Sequence, residues 1–389
     1  MPSEQPSPSE QQKYAPELSQ VLKPPPSESD RTSVPYTLTL LFGGDIMCHT
    51  QNFMTSDFSV IWKEVVPFIR SADFSFANIE SPVDDLLPYE TYPSFNMRSA
   101  YPEAAIRAGF NVFSLANNHS NDQGVQGMMQ TLVWAEKTSD NYENSGRKVY
   151  FSGVHDEKNN AGDYAVILKD GWTIVFYAVT EILNTRTGAE YINYVPPDQK
   201  SRRMFEAKIK EIRRQNPCDL FILSIHAAVP EYERGISEQR RQYYYSLLDS
   251  GADIIWANHP HVVQEREIVG RKESENFSKV IMYANGNTIS GQRRNPSFNN
   301  PSAAREYTGD GLLYKVTYIK TEISAPAVLE ETESKYITTY IDPSSGFIVK
   351  FLNNDFIKFL KESGLGKWAS YLFERKKIME KIKETKTWL

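Results

Sequence analysis

Residues 254–261 read Ile254-Ile255-Trp256-Ala257-Asn258-His259-Pro260-His261, a short apolar run that breaks into a histidine, a proline and a second histidine. A run of this length and β-branched, aromatic composition, bounded by proline, reads as a buried strand. Pro260 disfavours helix, and in extended backbone alternate side chains share a face, so both imidazoles can point into one cavity. The same arrangement recurs upstream. Phe221-Ile222-Leu223-Ser224-Ile225-His226 ends in an imidazole, and Ser114-Leu115-Ala116-Asn117-Asn118-His119 ends in two amides and an imidazole. Only six histidines occur in the chain, and four of them stand at such exits.

Carboxylates occupy two further exits, Leu40-Leu41-Phe42-Gly43-Gly44-Asp45 and Phe76-Ala77-Asn78-Ile79-Glu80. Asp45 alone could be a turn residue accepting backbone N–H groups. Glu80 would be costly to bury without a cation. Together, two carboxylates and several imidazoles suit Mn²⁺, Fe or Zn²⁺.

Working outward, strand-like runs at 36–42, 74–79, 112–115, 149–151, 220–225, 254–256 and 280–283 alternate with helix-like segments at 61–69, 103–108, 125–135, 203–214 and 238–248. This order predicts an α/β fold with crossover helices, its ligands gathered at the carboxyl ends of the strands on one sheet edge. Residues 164–168 and 173–177 flank Lys169-Asp170-Gly171 and read as an inserted hairpin. A domain over 36–322 would then carry a mostly helical C-terminal extension, 323–389. Residues 1–35, crowded with Ser, Pro, Glu and Gln, read as a disordered tether or tail. Such a segment either connects the domain to a removed membrane anchor or is an ordinary tail.

Composition narrows the partners. The chain is 40% hydrophobic and carries 43 basic against 49 acidic residues, for a net charge of -6. That balance gives no general pull toward nucleic acid or an anionic membrane, so a phosphate-bearing substrate needs a local cationic site. Cys48 and Cys218 supply neither a disulfide framework nor a Cys-rich zinc site. No apolar run approaches the roughly 18–20 residues that span a bilayer.

The phrases Gly44-Asp45-Ile46-Met47, Ala77-Asn78-Ile79-Glu80-Ser81-Pro82, Asn117-Asn118-His119-Ser120-Asn121-Asp122, His226 with Glu231-Tyr232, His259-Pro260-His261 and Tyr283-Ala284-Asn285-Gly286-Asn287 resemble, in order, those of the CapA capsule-synthesis family. That family belongs to the calcineurin-like metallophosphoesterases and is associated with poly-γ-glutamate capsule production. The resemblance covers about residues 37–320. It implies a sandwich of mixed β-sheets flanked by helices, and a pair of divalent metal ions.

Carried over, Asp45, Glu80, Asn118, His226, His259 and His261 are the implied metal ligands. His119 is the implied uncoordinated imidazole acting on the scissile group, with Asp122 supporting it. Arg98, Tyr232 and Asn287 are candidates for substrate binding. Met47 stands where many phosphoesterases have histidine, and His49, four residues after Asp45, either substitutes for it or is structural. The loop after His226 lacks the family's usual Trp-Gly pair. The implied substrate is an anionic polymer or a phosphoester, with a membrane synthase or exporter as the partner and the cell envelope as the location; a native Met1 would point to the cytoplasm. Two functions follow: a metal-dependent hydrolase, for capsule or unrelated to it, or a non-catalytic metal-holding scaffold.

Overall fold

Strands that are apolar on both faces need cover on both sides, and two sheets with flanking helices supply it. The computed structural model describes residues 36–156, 163–272 and 276–389; the expected tether at 1–35 lies outside them. The first sheet contains β1 (Tyr36–Ile46), β2 (Phe74–Ile79), β3 (Val112–Ser114) and β4 (Tyr150–Ser152), all parallel. Beyond β1 it continues antiparallel through β12 (Asp310–Lys320), β13 (Val328–Asp342) and β14 (Gly346–Phe351). A short strand, β11 (Asn287–Ile289), pairs parallel with the end of β1.

The second sheet runs β15 (Glu384–Trp388), β9 (Arg266–Arg271), β10 (Asn276–Met282), β8 (Ile254–Asn258), β7 (Leu220–His226), β6 (Trp172–Thr180) and β5 (Ala165–Lys169). Its central strands are parallel, while β9–β10 and the β5–β6 hairpin are antiparallel. Both sheets are therefore mixed.

Alternation within single strands sets the layers. Ile174, Phe176, Ile222, Ile254 and Trp256 belong to one core with Leu40, Phe42 and Phe76 of the first sheet. Phe42 stacks on Phe76 at 4.6 Å between ring centroids, and both rings meet Trp256. The intervening residues Val175, Tyr177, Leu223, Ile225, Ile255 and Ala257 face a second core, with Phe205 and Ile209 of α5 (Gln199–Gln215) and Leu247 and Leu248 of α6 (Glu238–Asp249). On the first sheet, α3 (Ala100–Ala108) and α4 (Gly124–Asn144) contribute Ala104, Ala105 and Met128 to the main core.

Two expectations are corrected. The helix expected at 61–69 is a series of turns ending in the four-residue α2 (Val66–Ile69), with α1 (Thr50–Phe53) equally short. Val65 and Val66 favour strand over helix, and Pro67 fits only a first helical turn. The extension 323–389, expected to be mostly helical, is mixed. β13 pairs with β12 from Val328 to Thr338, so the first sheet runs across the expected boundary at 322. Helices α7 (Asn354–Glu362) and α8 (Gly366–Met379) follow, and β15 then joins the second sheet. The polar stretch Glu330-Glu331-Thr332-Glu333-Ser334-Lys335 and the alternating Glu384-Thr385-Lys386 hide these strands, because half of each faces solvent.

Candidate metal centre

Glycine 44 lets the two halves of the centre meet. A Cβ there would fall 1.9 Å from the Gly286 carbonyl oxygen, so only glycine allows β1 to lie against the strand end carrying Asn287. Asp45 then donates its N–H to Gly286 O at 3.0 Å, and Glu80 donates its own to Ile46 O at 3.1 Å. Asp45 lies opposite Asn78 in the β1–β2 register, and Asn78 Nδ2 donates to Asp45 Oδ1 at 2.8 Å. From the second sheet, His226 ends β7 and pairs in register with Asn258, after which His259 leaves β8. The ligand candidates thus come from strand ends of two facing sheets, not from one edge of a single sheet.

His259 and His261 do not converge through extended alternation. Their φ angles are +102° and +58°, left-handed conformations that cost side-chain-bearing residues free energy and collect at functional sites. Tyr232, with φ +66°, donates its N–H to Pro260 O at 2.9 Å and anchors the turn.

The side chains meet in one buried cluster. Glu80 is 0% exposed, Asp45 and His226 1% and His261 2%, so the charges here have left water altogether. Glu80 Oε1 lies 3.6 Å from both His226 Nε2 and His261 Nε2. His226 Nε2 is also 2.8 Å from Asn118 Oδ1 and 3.1 Å from His259 Nδ1. His261 Nδ1 lies 3.2 Å from Asp45 Oδ2 and 3.1 Å from Asn287 Oδ1. Glu80, His259 and His261 form one group able to hold a metal ion, and Asp45, Glu80 and His226 another, with Glu80 shared.

Lone pairs in this space outnumber protons. The single hydrogen that His226 Nε2 can carry cannot serve Asn118, His259 and Glu80 at once, and among the described residues Glu80 Oε1 has no hydrogen-bond partner. Burial, then Asp45, holds the Glu80 carboxyl well above the usual carboxylate range. Burial, then His259 and His261, depresses His226 well below the usual imidazole value, and burial with His261 lowers His259 to about 4. Neutral imidazoles, an amide oxygen and two carboxylates around one orphaned oxygen are the donor set of a borderline divalent cation. The residues fit a metal.

His119 stands beside the cluster. Its Nδ1 lies 2.6 Å from Asp122 Oδ2, whose other partner is the Phe95 N–H at 2.7 Å. Phe95 packs edge-on against the His119 ring. Asn184 accepts from Asn118 Nδ2 at 3.2 Å and lies 3.1 Å from His119 Nδ1, which fixes the two neighbours with respect to each other. His119, Tyr232 and His261 line a cavity of about 330 Å³, together with Met47, His49 and Glu231.

Two substrate-binding candidates lie elsewhere. Arg98 donates to the Asp85 backbone carbonyl and does not line the cavity, because the loop after β2 folds its side chain onto its own backbone. Asn287 is buried and directs Nδ2 to Ser290, Gln292 and the Thr308 carbonyl, leaving Oδ1 for His261. It orients a ligand candidate and does not line the cavity. The cations at the cavity are Arg294 and Arg305, which no strand-exit pattern marked. Asn78 was not singled out either, although alternation puts it on the same face as Glu80. Asn184 comes from a separate loop with no local signal.

A family model described as bacterial capsule synthesis protein PGA_cap matches residues 39–292. The chain is 27% identical over 262 residues to the capsule biosynthesis protein CapA of Bacillus anthracis, covering 65% of this chain and 59% of that protein. It is 28% identical over 236 residues to the PGA biosynthesis protein CapA of Bacillus subtilis (strain 168), covering 59% and 56% respectively. An uncharacterized Sinorhizobium fredii protein, y4sH, is 32% identical over 110 residues, 26% of this chain and 23% of that one. The chain therefore spans under two thirds of the length of these relatives.

Proposed function

This chain belongs to the bacterial capsule synthesis protein family, and from that membership we propose that it is a metal-dependent phosphoesterase-type hydrolase of capsule or poly-γ-glutamate biosynthesis, working at the cell envelope. The observation that carries the reading is Glu80: a wholly buried carboxylate with an orphaned oxygen, shared by two groups of potential ligands. Asp45, Glu80, Asn118, His226, His259 and His261 would hold the cations. When bound, a divalent pair supplies Lewis acidity at a phosphoryl group.

The remaining chemistry belongs to side chains. With His119 as the imidazolium, Asp122 accepts a hydrogen bond from Nδ1–H and fixes the ring, and Nε2–H is the proton given to the departing oxygen. Asn118 offers an uncharged oxygen, oriented because its Nδ2 is committed to Asn184. Asn287 orients His261 in the same way. The strained turn around Pro260 keeps both imidazoles directed inward without help from substrate.

Met47 favours a second reading, a metal-holding scaffold for a membrane synthase or exporter. A thioether lines the cavity beside Asp45, and thioethers are poor ligands for hard or borderline cations. Turnover of bis(p-nitrophenyl) phosphate separates the two. Protein prepared without chelator should hydrolyse it, lose activity on chelation and regain it with Mn²⁺, Fe²⁺ or Zn²⁺. Metal-loaded protein inert with every cation would leave the scaffold.

A further inference from the structure

The cavity is lined by the buried imidazoles of His119 and His261 and also by cationic side chains. Arg294 and Arg305 both line it and are exposed, and among the described residues neither is held by a carboxylate in an ion pair. Arg305 is oriented without being neutralised: its Nε donates to Gln292 O at 3.2 Å, and the guanidinium lies 5.3 Å from the centre of the Tyr232 ring. His49 completes the wall. Its Nδ1 accepts the Gly291 N–H at 3.2 Å, so the proton of the neutral ring is on Nε2. Gly291 makes that contact possible, since a Cβ there would fall 2.6 Å from His49 Cβ. Glu231 also lines the cavity, with its carboxylate engaged by the Tyr232 side chain.

The wall is built rather than incidental. Gln292 accepts from Asn287 Nδ2 at 2.9 Å, and Arg293 is buried with Nη1 on Asp310 Oδ1 at 2.7 Å. Arg375 of α8 donates Nε to Asp310 Oδ2 at 2.7 Å and Nη1 to Pro301 O at 2.6 Å. Both arginines that line the cavity thus lie in a segment, 293–309, clamped by two buried guanidinium–carboxylate pairs. That segment follows the part matched by the family model.

We propose that Arg294, Arg305 and His49 form an anion subsite that selects phosphoesters carrying a second negative group, carboxylate or phosphate, on the alcohol that is retained. The proposal rests on the hydrolase reading, and its test separates the two. Three p-nitrophenyl alkyl phosphodiesters share one leaving group and differ in the retained arm: propyl, 3-carboxypropyl and 3-phosphonopropyl. Wild-type protein should turn over a charged-arm ester with kcat/KM about tenfold above the propyl ester, as expected for charge-assisted contacts at a partly wetted rim. The better of the two charged arms identifies the source of the anion. In R294Q/R305Q the preference should vanish with the propyl rate within about twofold of wild type, and R305K should keep part of it. If no ester is turned over, the hydrolase reading fails, and calorimetric titration of the same three compounds still reads the subsite as a difference in Kd between wild type and R294Q/R305Q. Equal preference or equal affinity for charged and uncharged arms in wild type, or a preference that survives in R294Q/R305Q, overturns the subsite.

Discussion

Asn118 and His119 adjoin in the chain and diverge in their partners, so removing each should have a different consequence. Asn118 Oδ1 points at His226 within the cluster, whereas His119 Nδ1 is tied to Asp122. His119→Ala should keep its metal while losing roughly 10²–10⁴-fold in kcat on an ester with a poor leaving group. The loss should shrink with nitrophenolate, which needs little protonation. Asn118→Ala should weaken metal binding and slow both esters alike, as metal analysis beside both rates will report. A His119→Ala protein that loses metal as badly as Asn118→Ala would remove the assigned role. Which atom of each residue faces the cluster is a matter of backbone direction after β3, three residues long, and no reading of Asn117-Asn118-His119 alone determines it.

At the level of elements, α8 reaches under the site through one residue. Arg375 is fully buried and shares Asp310 with Arg293. Arg375→Met keeps much of the volume but leaves Asp310 one guanidinium short, at a cost of about 3–5 kcal/mol for breaking a buried pair. Urea unfolding should show that loss, and a change under about 1 kcal/mol would mean that Arg293 alone satisfies the carboxylate. The sequence marked the strand exits well: Asp45, Glu80, His226 and His259 all stand at or beside the ends of strands that apolar runs had located. It marked β13 and β15 poorly, because a half-solvated strand of Glu, Thr and Lys reads as polar helix. It placed Arg98 in the site and missed Arg305 for a related reason. A lone arginine carries no period, so its position depends on long-range contacts such as Arg375 with Asp310.

Across the whole molecule, the buried cluster links folding, protonation and metal. His259 titrates at about 4 in the fold against 6.5 in an unfolded chain. Between those values the unfolded chain binds more protons, so this contribution to stability is lost as pH falls through that window. Glu80 acts oppositely: burial and Asp45 raise its pKa, so the metal-free fold loses this contribution as pH rises above the ordinary carboxylate range. A cation needs the imidazoles neutral and Glu80 ionised, so the rise in Tm on adding metal should be larger at pH 7.5 than at pH 5. A Tm shift that is the same at both values would dissociate metal binding from the cluster. The most direct test is the metal content of protein purified without chelator, by inductively coupled plasma mass spectrometry, with Glu80→Gln in parallel. The cluster predicts about two divalent ions per chain in wild type and a marked loss in Glu80→Gln, as for a carboxylate shared by a two-metal site. A wild-type chain that holds no divalent metal above background, even after incubation with Mn²⁺, Fe²⁺ or Zn²⁺, would contradict it.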